Sequence, residues 1–399
     1  MKKVLFVVHS LGGGGAERVL VNTVNNLPHD KYDITVMTIV DSGLHRRNLA
    51  SHVKYRSLLS MPERKDGVQE RNGSVSGSLL AGKSRFKPVA KELYLWFWRY
   101  APTSSLYRSG VRERYDVEVA YLEGICTKFV AASPNDRAKK IAWVHVDIEK
   151  EGKSHKALKS IREESALYDC FDKIVCVSQG VNDAMKRVFP SVAKKLVVAR
   201  NPIDVQEITE SAHEAIPAEY EPLFDKKYVF CSVGRLCEQK AFDRLVRAAA
   251  LCKQQVKDDF SIVIMGEGPD NESLISLASE LNVTDSVHFI GYQKNPYAFI
   301  ARSHAFVCTS RAEGMSTTVS EALVLGVPVI STPCSGTDEL FSVGNGKIIG
   351  DSDEEIANAL CSEMDASRMH SRGDSSQVEE FFDLDRAISA IEEILADDC

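Results

Sequence analysis

Short runs dominated by valine, isoleucine and phenylalanine alternate along the chain with longer stretches whose apolar residues recur every three or four positions. In the first half the runs are "KVLFVV", "DITVMTIV", "VEVAYL", "KIAWVHV" and "KIVCVS". In the second half they are "YVFCSVG", "SIVIMG", "VHFIG", "HAFVCTS" and "VPVIST". Near-continuous apolar runs of this length are what strands covered on both faces require. The stretches between them, such as "AERVLVNTVNNL", "AFDRLVRAAALCKQQ" and "NESLISLASELN", carry helical periodicity. Strand and helix in alternation predict an α/β fold with parallel sheets and right-handed crossovers. Two such series predict two Rossmann-like, doubly wound domains.

The break falls near Ala199–Ile208, where Asn201-Pro202 follows the apolar "KLVVA" as a turn signal. The expected domains are residues 1–204, joined by a C-terminal helix over about 380–399, and residues 205–379. The stretch "MPERKDGVQERNGSVSGS" reads as a surface loop.

Composition adds limits. With 399 residues, 44% hydrophobic and 26% charged, the chain has an ordinary soluble profile and room for two domains. No apolar run approaches a membrane span, and the N-terminal apolar run leads into glycines rather than a cleavage site, so it reads as a buried strand. Ten cysteines lack any C-x-x-C pair. Several sit inside strand-like runs, which predicts free thiols in a reducing, cytoplasmic setting.

Charge changes the picture more. The net charge is −7, yet residues 1–115 sum to +10 and the remainder to −17. A basic end of this kind suits an acidic surface or substrate. Within it, "GKSRFKPVAKELYLWFWRYAP" mixes Lys83, Arg85, Lys87, Lys91 and Arg99 with Trp96, Phe97 and Trp98. Such a mixture suits a membrane-surface helix; a helix packed on the first sheet with solvated charges is the other reading. The segment 83–114 is therefore a candidate for contact at the inner face of the cell membrane. No nucleic-acid partner is expected.

Candidate chemistry gathers where strands end. Gly12, Gly13, Gly14 and Gly15 follow the first strand and precede a helix whose N–H groups point at the same space. The contiguous glycines are not the dinucleotide pattern; they suit a phosphate or a reacting sugar, or else a plain flexible turn. In the second series Gly234, Arg235 and Lys240 lie between a strand and a helix, at the end where open α/β sheets bind ligands. A guanidinium and an ammonium suit a diphosphate. After "HAFVCTS" come Glu313, Gly314, Met315, Ser316 and Thr317, then Glu321 one turn into a helix. The helix start favours an anion, and each carboxylate can accept two vicinal hydroxyls. His145 and Glu123 each follow a strand of the first series.

These motifs in this order resemble retaining glycosyltransferases of the GT-B fold, specifically glycosyltransferase family 4. The set comprises the glycine loop with "AER", "RNPID", "GR" at Gly234-Arg235, Lys240, "GEGP" from Gly266, and the pair Glu313 and Glu321. The resemblance implies two domains facing across a cleft, the C-terminal helix crossing back to the first, and a nucleotide-sugar donor, UDP-linked by expectation. Arg235 and Lys240 would hold the diphosphate. Glu321 would take the ribose, Glu313 with the backbone of Gly314–Thr317 the donor sugar, and Tyr292 in "GYQKN" lies where the base binds. Gly13, Gly14, Gly15, Gly234 and Gly266 complete the donor side; His145, with Arg235, Lys240 and Glu313 in the catalytic set, would contact the donor sugar or the acceptor, and Gly12 and Glu123 would meet a saccharide or lipid-linked acceptor. No cofactor and no metal are implied, and Asp351–Asp353 and Asp383–Asp385 are discounted as metal motifs. The sequence departs from the family at Ala241, where glycine commonly follows the lysine, and at Met315, where Phe or Leu is common; both are expected to alter packing. An epimerase or hydrolase of nucleotide sugars, or a non-catalytic sugar-binding subunit, would fit the same two domains.

Overall fold

In the first sheet, Val4–Val8 of strand β1 (Lys2–Val8) are at most 1% exposed. Only a strand with neighbours on both edges and helices on both faces is so enclosed. The computed structural model of the chain describes residues 1–59, 87–150, 154–256, 259–366 and 375–396. Residues 60–86, which include the expected loop over Met61–Ser78 as well as Lys83 and Arg85, lie outside the described residues.

The first sheet contains β1, β2 (Tyr32–Val40), β3 (Lys54–Leu59), β4 (Val117–Ala120), β5 (Lys139–Val144), β6 (Lys173–Cys176) and β7 (Leu196–Val198). Their order is β3-β2-β1-β4-β5-β6-β7, and every pairing is parallel. The second sheet contains β8 (Tyr228–Val233), β9 (Phe260–Met265), β10 (Val287–Phe289), β11 (Ala305–Cys308), β12 (Val329–Ser331) and β13 (Gly346–Ile348), in the order β10-β9-β8-β11-β12-β13, again all parallel. In each sheet the winding reverses beside its first strand. The reversal points lie between β1 and β4 and between β8 and β11, and ligands bind open α/β sheets at such points, beyond the carboxyl ends of the strands.

Two compact units result. Unit 1 holds residues 1–59, 87–202 and the C-terminal segment from Asp385; unit 2 runs from Ile203 to Leu384. Asp204 starts unit 2 as a helix cap: its carboxylate accepts from Glu207 N at 2.8 Å and opens the helix Val205–Ala212. The C-terminal helix Leu384–Ala396 buries Ile388, Ile391 and Leu395. Lys2 and Lys139 of unit 1 donate to its last carbonyls, at Leu395 (3.1 Å) and Ile394 (2.8 Å). Two lysines thus satisfy orphan carbonyls at the negative end of the helix dipole.

The aromatic stretch forms the helix Lys87–Tyr100, and its two faces differ. Leu93, Trp96, Phe97 and Tyr100 are exposed, Trp96 by 59%. Their spacing of three, four and seven puts them on one stripe. Trp98 is fully buried, so it is core rather than the interfacial aromatic expected from the sequence. Tyr94 also faces inward, its hydroxyl 2.9 Å from His9 Nε2 just beyond β1.

Candidate active site

The residues expected to matter fall into two sets, one at the reversal point of each sheet. The unit 2 set is built first by loops. Gly234 N donates to Met265 O at 3.0 Å, and Gly266 N to Gly291 O at 2.8 Å. The loops after β8, β9 and β10 therefore lie side by side, with Tyr292 next in line. Gly266 has φ +141°, and a Cβ there would stand 1.9 Å from Gly234 O, so only glycine lets these loops touch.

Lys240 then folds its stem over Gly234, three of its carbons lying 3.3 Å from the place a Cβ would occupy. Its Nζ reaches Glu313 Oε1 at 2.6 Å. The same oxygen accepts from Ser310 Oγ at 2.7 Å. Glu313 is 9% exposed and Glu321, one turn inside the helix Thr317–Val324, is 4% exposed. Burial on its own would lower the pKa of Lys240, but the adjacent Glu313 carboxylate outweighs it and holds the ammonium well above its ordinary range. Arg235, by contrast, is exposed. Ser316 stands at the cap of the helix Thr317–Val324 without a side-chain capping bond, its hydroxyl instead 3.2 Å from that of Thr318. Cation, carboxylate and helix N-terminus are thus assembled at the reversal point between β8 and β11.

Two details differ from the sequence expectation. Ala241 acts through the backbone rather than through packing: its φ is 53°, the left-handed region, which costs an L-residue about 1–2 kcal/mol and suits the glycine common there in the resembling family. Thr309 Oγ1 holds the turn in place, with Lys240 O and Ala241 O each at 3.2 Å. Ser310 and Gln239 were also not among the expected residues. Gln239 O accepts from Arg311 N at 2.8 Å and its side chain donates to Ala312 O at 2.9 Å, which ties the two site loops together. Ser310 ends a strand-like run at the carboxyl edge and was within reach of the strand-end argument.

Asp351 and Asp353 are engaged by Arg244 (2.9 Å) and Arg247 (2.6 Å).

The unit 1 set contains Gly12–Gly15, Glu123 and His145. None of the four glycines has a positive φ. Gly13 has nothing within 4 Å of where a Cβ would stand, so the loop edge is open to close approach. Glu123 Oε1 accepts from the backbone N–H groups of His145 and of Val146, the latter at 3.1 Å. The His145 ring packs on Tyr121 with centroids 4.8 Å apart. Burial pushes its pKa down to about 3, so the imidazole is neutral, and Nε2 is buried without a hydrogen-bond partner among the described residues.

Glu123 moves the other way. Burial raises its carboxyl to about 7, against three backbone N–H groups that favour the anion, its own and those of His145 and Val146, and Glu164 adds repulsion. Between its ordinary 4.5 and 7 the folded chain holds a proton that the unfolded chain releases. Stability therefore falls as pH rises through that window and is level above it. Glu123→Gln keeps an acceptor for these N–H groups and removes the titration. Urea unfolding at pH 5 and pH 7.5 should show the wild type losing roughly 2 kcal/mol more than the variant between the two; equal losses would contradict the assignment.

Comparison with known proteins adds the following. Residues 218–371 match the family model described as glycosyl transferases group 1. An uncharacterized glycosyltransferase of Methanocaldococcus jannaschii is 30% identical over 203 residues, covering 50% of this chain and 49% of that one. The N-acetylgalactosamine-N,N'-diacetylbacillosaminyl-diphospho-undecaprenol 4-alpha-N-acetylgalactosaminyltransferase of Campylobacter jejuni is 34% identical over 178 residues, covering 44% and 46%. The chain thus spans about half the length of these two relatives. Among solved structures, HepE of Anabaena in complex with UDP-glucose superimposes with a TM-score of 0.71 at 18% identity, over 99% of this chain and 100% of that one; this similarity is one of fold. The group 1 match contains Arg235, Lys240, Glu313 and Glu321. With its two doubly wound parallel sheets and a glycosyl transferases group 1 domain over residues 218–371, the chain resembles the GT-B glycosyltransferases of family 4.

Proposed function

We propose that the chain is a retaining glycosyltransferase that moves a sugar from a UDP-linked donor to a saccharide or lipid-linked saccharide in cell-surface polysaccharide or glycoconjugate synthesis. The observation that carries this reading is the Lys240–Glu313 pair, 2.6 Å apart at the reversal point of the second sheet and next to a helix N-terminus. That arrangement offers positive charge to a diphosphate and a carboxylate to the sugar beside it. The UDP-glucose bound by HepE supports the donor class, and the diphospho-undecaprenol acceptor in the name of the C. jejuni relative supports a lipid-linked acceptor.

In this reading the anomeric C–O bond to the diphosphate breaks while the acceptor oxygen bonds on the same face. The acceptor proton passes to the departing phosphate oxygen. Arg235, Lys240 and the N–H groups at Thr317 stabilise the charge that grows on the diphosphate, the role a metal would otherwise take. Glu321 accepts the ribose hydroxyls and Glu313 those of the sugar. The test follows UDP release from UDP-sugars with and without saccharide acceptors, with NMR of the product's anomeric configuration. Release that requires acceptor, with configuration kept, is expected. Rapid turnover without acceptor would favour the hydrolase or epimerase reading, and binding without turnover a sugar-binding subunit.

A lipid-linked acceptor calls for a membrane-facing surface. Among the described residues no helix is long and apolar enough to cross a membrane. The stripe of Leu93, Trp96, Phe97 and Tyr100 has the character of an interfacial contact, with Lys159 Nζ 5.3 Å from the Tyr100 ring centre. We place this helix at the inner leaflet. The chain is expected to float with vesicles containing anionic lipid at low salt, and Trp96→Ser should weaken that binding about tenfold. Absence of binding by the wild type at low salt would remove the membrane from the proposal.

A further inference from the structure

A pair of thiols in unit 2 lies apart from the site. Cys252, on the helix Phe242–Gln255, and Cys361, on the helix Asp353–Ala366, bring their sulfurs to 3.1 Å. Cys252 is fully buried in the apolar cluster that includes Leu245, Ala249, Ile356 and Leu360. Cys361 is half-buried at the edge of that cluster, with its sulfur 3.7 Å from Gln255 Oε1. Toward the other end Arg247–Asp353 clamps the two helices, and Arg244 binds Asp351 two residues before the second. Toward the Cys252 end the two helices meet through the apolar cluster and the contact of Cys361 with Gln255. The helix Phe242–Gln255 begins immediately after the Lys240-Ala241 turn, so its anchoring bears on the site.

We propose that Cys252 and Cys361 form a reversible disulfide, made by exchange with a low-molecular-weight disulfide of the glutathione type, which staples these two helices together. Sulfurs already in contact need only a small side-chain shift to bond. Cys361 is the accessible thiol and supplies the attacking thiolate, because burial keeps Cys252 protonated. The Cys361 thiolate displaces one glutathione thiolate and forms a mixed disulfide. Cys252 then gives up its proton and attacks the Cys361 sulfur, expelling the second glutathione thiolate. Two protein thiols are oxidised and one disulfide is reduced to two thiols, so electrons and protons balance. The bond closes a long loop, since the two cysteines are 109 positions apart, and a long loop gives a large constraint on the unfolded chain. Oxidation thereby stabilises the unit that carries Lys240 and Glu313.

The experiment incubates the full chain with oxidised glutathione, blocks free thiols by alkylation and maps the peptides. A cross-linked peptide pair containing Cys252 and Cys361 is expected, while exposed Cys170 collects a glutathione adduct instead. The Tm should rise by about 5–10 °C, return to its starting value with dithiothreitol, and not move in Cys361→Ser. A stable glutathione adduct on Cys361 with Cys252 still free would overturn the proposal, as would a cross-link that leaves Tm unchanged. The peptide map on the wild-type chain decides the bond even if a variant folds poorly.

Discussion

Lys240→Ala is expected to lower kcat/KM for sugar transfer by about 100- to 1000-fold, the usual consequence of removing one preorganised donor from developing negative charge. The loss should fall mainly on kcat. A diphosphate bound in the ground state already carries charge, but the charge grows as the anomeric bond breaks, so the ammonium is worth most at the transition state. Two features make the effect large. Lys240 is enclosed, with its side chain 20% exposed, so water cannot substitute for it well. Its position is also fixed: the stem lies over Gly234, and Thr309 bonds to the turn that carries it. Removal leaves Glu313 without its cation, so some loss of stability accompanies the loss of rate. Thermal unfolding of the same sample separates the two, and Lys240→Met, which keeps the apolar stem, should fold better while remaining as inactive. Transfer within about threefold of wild type would show that Lys240 does not face the diphosphate.

Much of the architecture was readable before any coordinate. Strands enclosed on both sides announce themselves as unbroken apolar runs, as in Val4–Val8 of β1 and Ile262–Met265 of β9, because none of those positions meets water. Two of the four edge strands, β3 and β13, do not read as strands in the sequence. β3 carries Lys54 and Arg56 and is only half-buried, and β13 is three residues long, "GKI", with two of them exposed. A strand with one neighbour has little apolar surface to conceal, so its sequence looks like loop. Trp98 was misread for a related reason: three adjacent aromatics look alike in sequence, and only the helical rotation sends Trp98 inward and Trp96 outward. The expected site residues could be placed at strand ends, since the carboxyl-end rule depends on order along the chain alone. Their pairing could not. Lys240 and Glu313 are 73 positions apart, and nothing local to either predicts which carboxylate its ammonium will meet.

That pairing governs the second large effect. Glu313→Gln should lower kcat at neutral pH by roughly 10- to 100-fold, the range for losing a hydrogen bond to a charged group. It should also bring an alkaline limb into the pH profile. In the wild type, burial would lower the pKa of Lys240 and the Glu313 carboxylate more than reverses this, leaving it above 10.5. A group whose folded pKa is raised contributes stability fully below its unfolded value and loses it only as pH climbs through the folded one. The wild-type ammonium is therefore charged throughout the range in which the chain can be assayed. Glutamine preserves the shape and an acceptor for Ser310 Oγ at the same place, but not the charge. The remaining titratable neighbours of Lys240 are the thiols of Cys237 and Cys308, so burial then dominates and the pKa moves below 10.5. The variant's cation is lost as pH rises, and rate falls with it where the wild type stays level. Stability separates the charge from the chemistry. The single substitution should destabilise by about 1–3 kcal/mol, because it strands a largely enclosed ammonium. Adding Lys240→Met to it should restore much of that stability and none of the transfer. Steady-state kinetics from pH 6 to pH 10 on the three proteins distinguish these outcomes: a variant profile as flat as the wild type would mean that Glu313 does not hold the proton on Lys240.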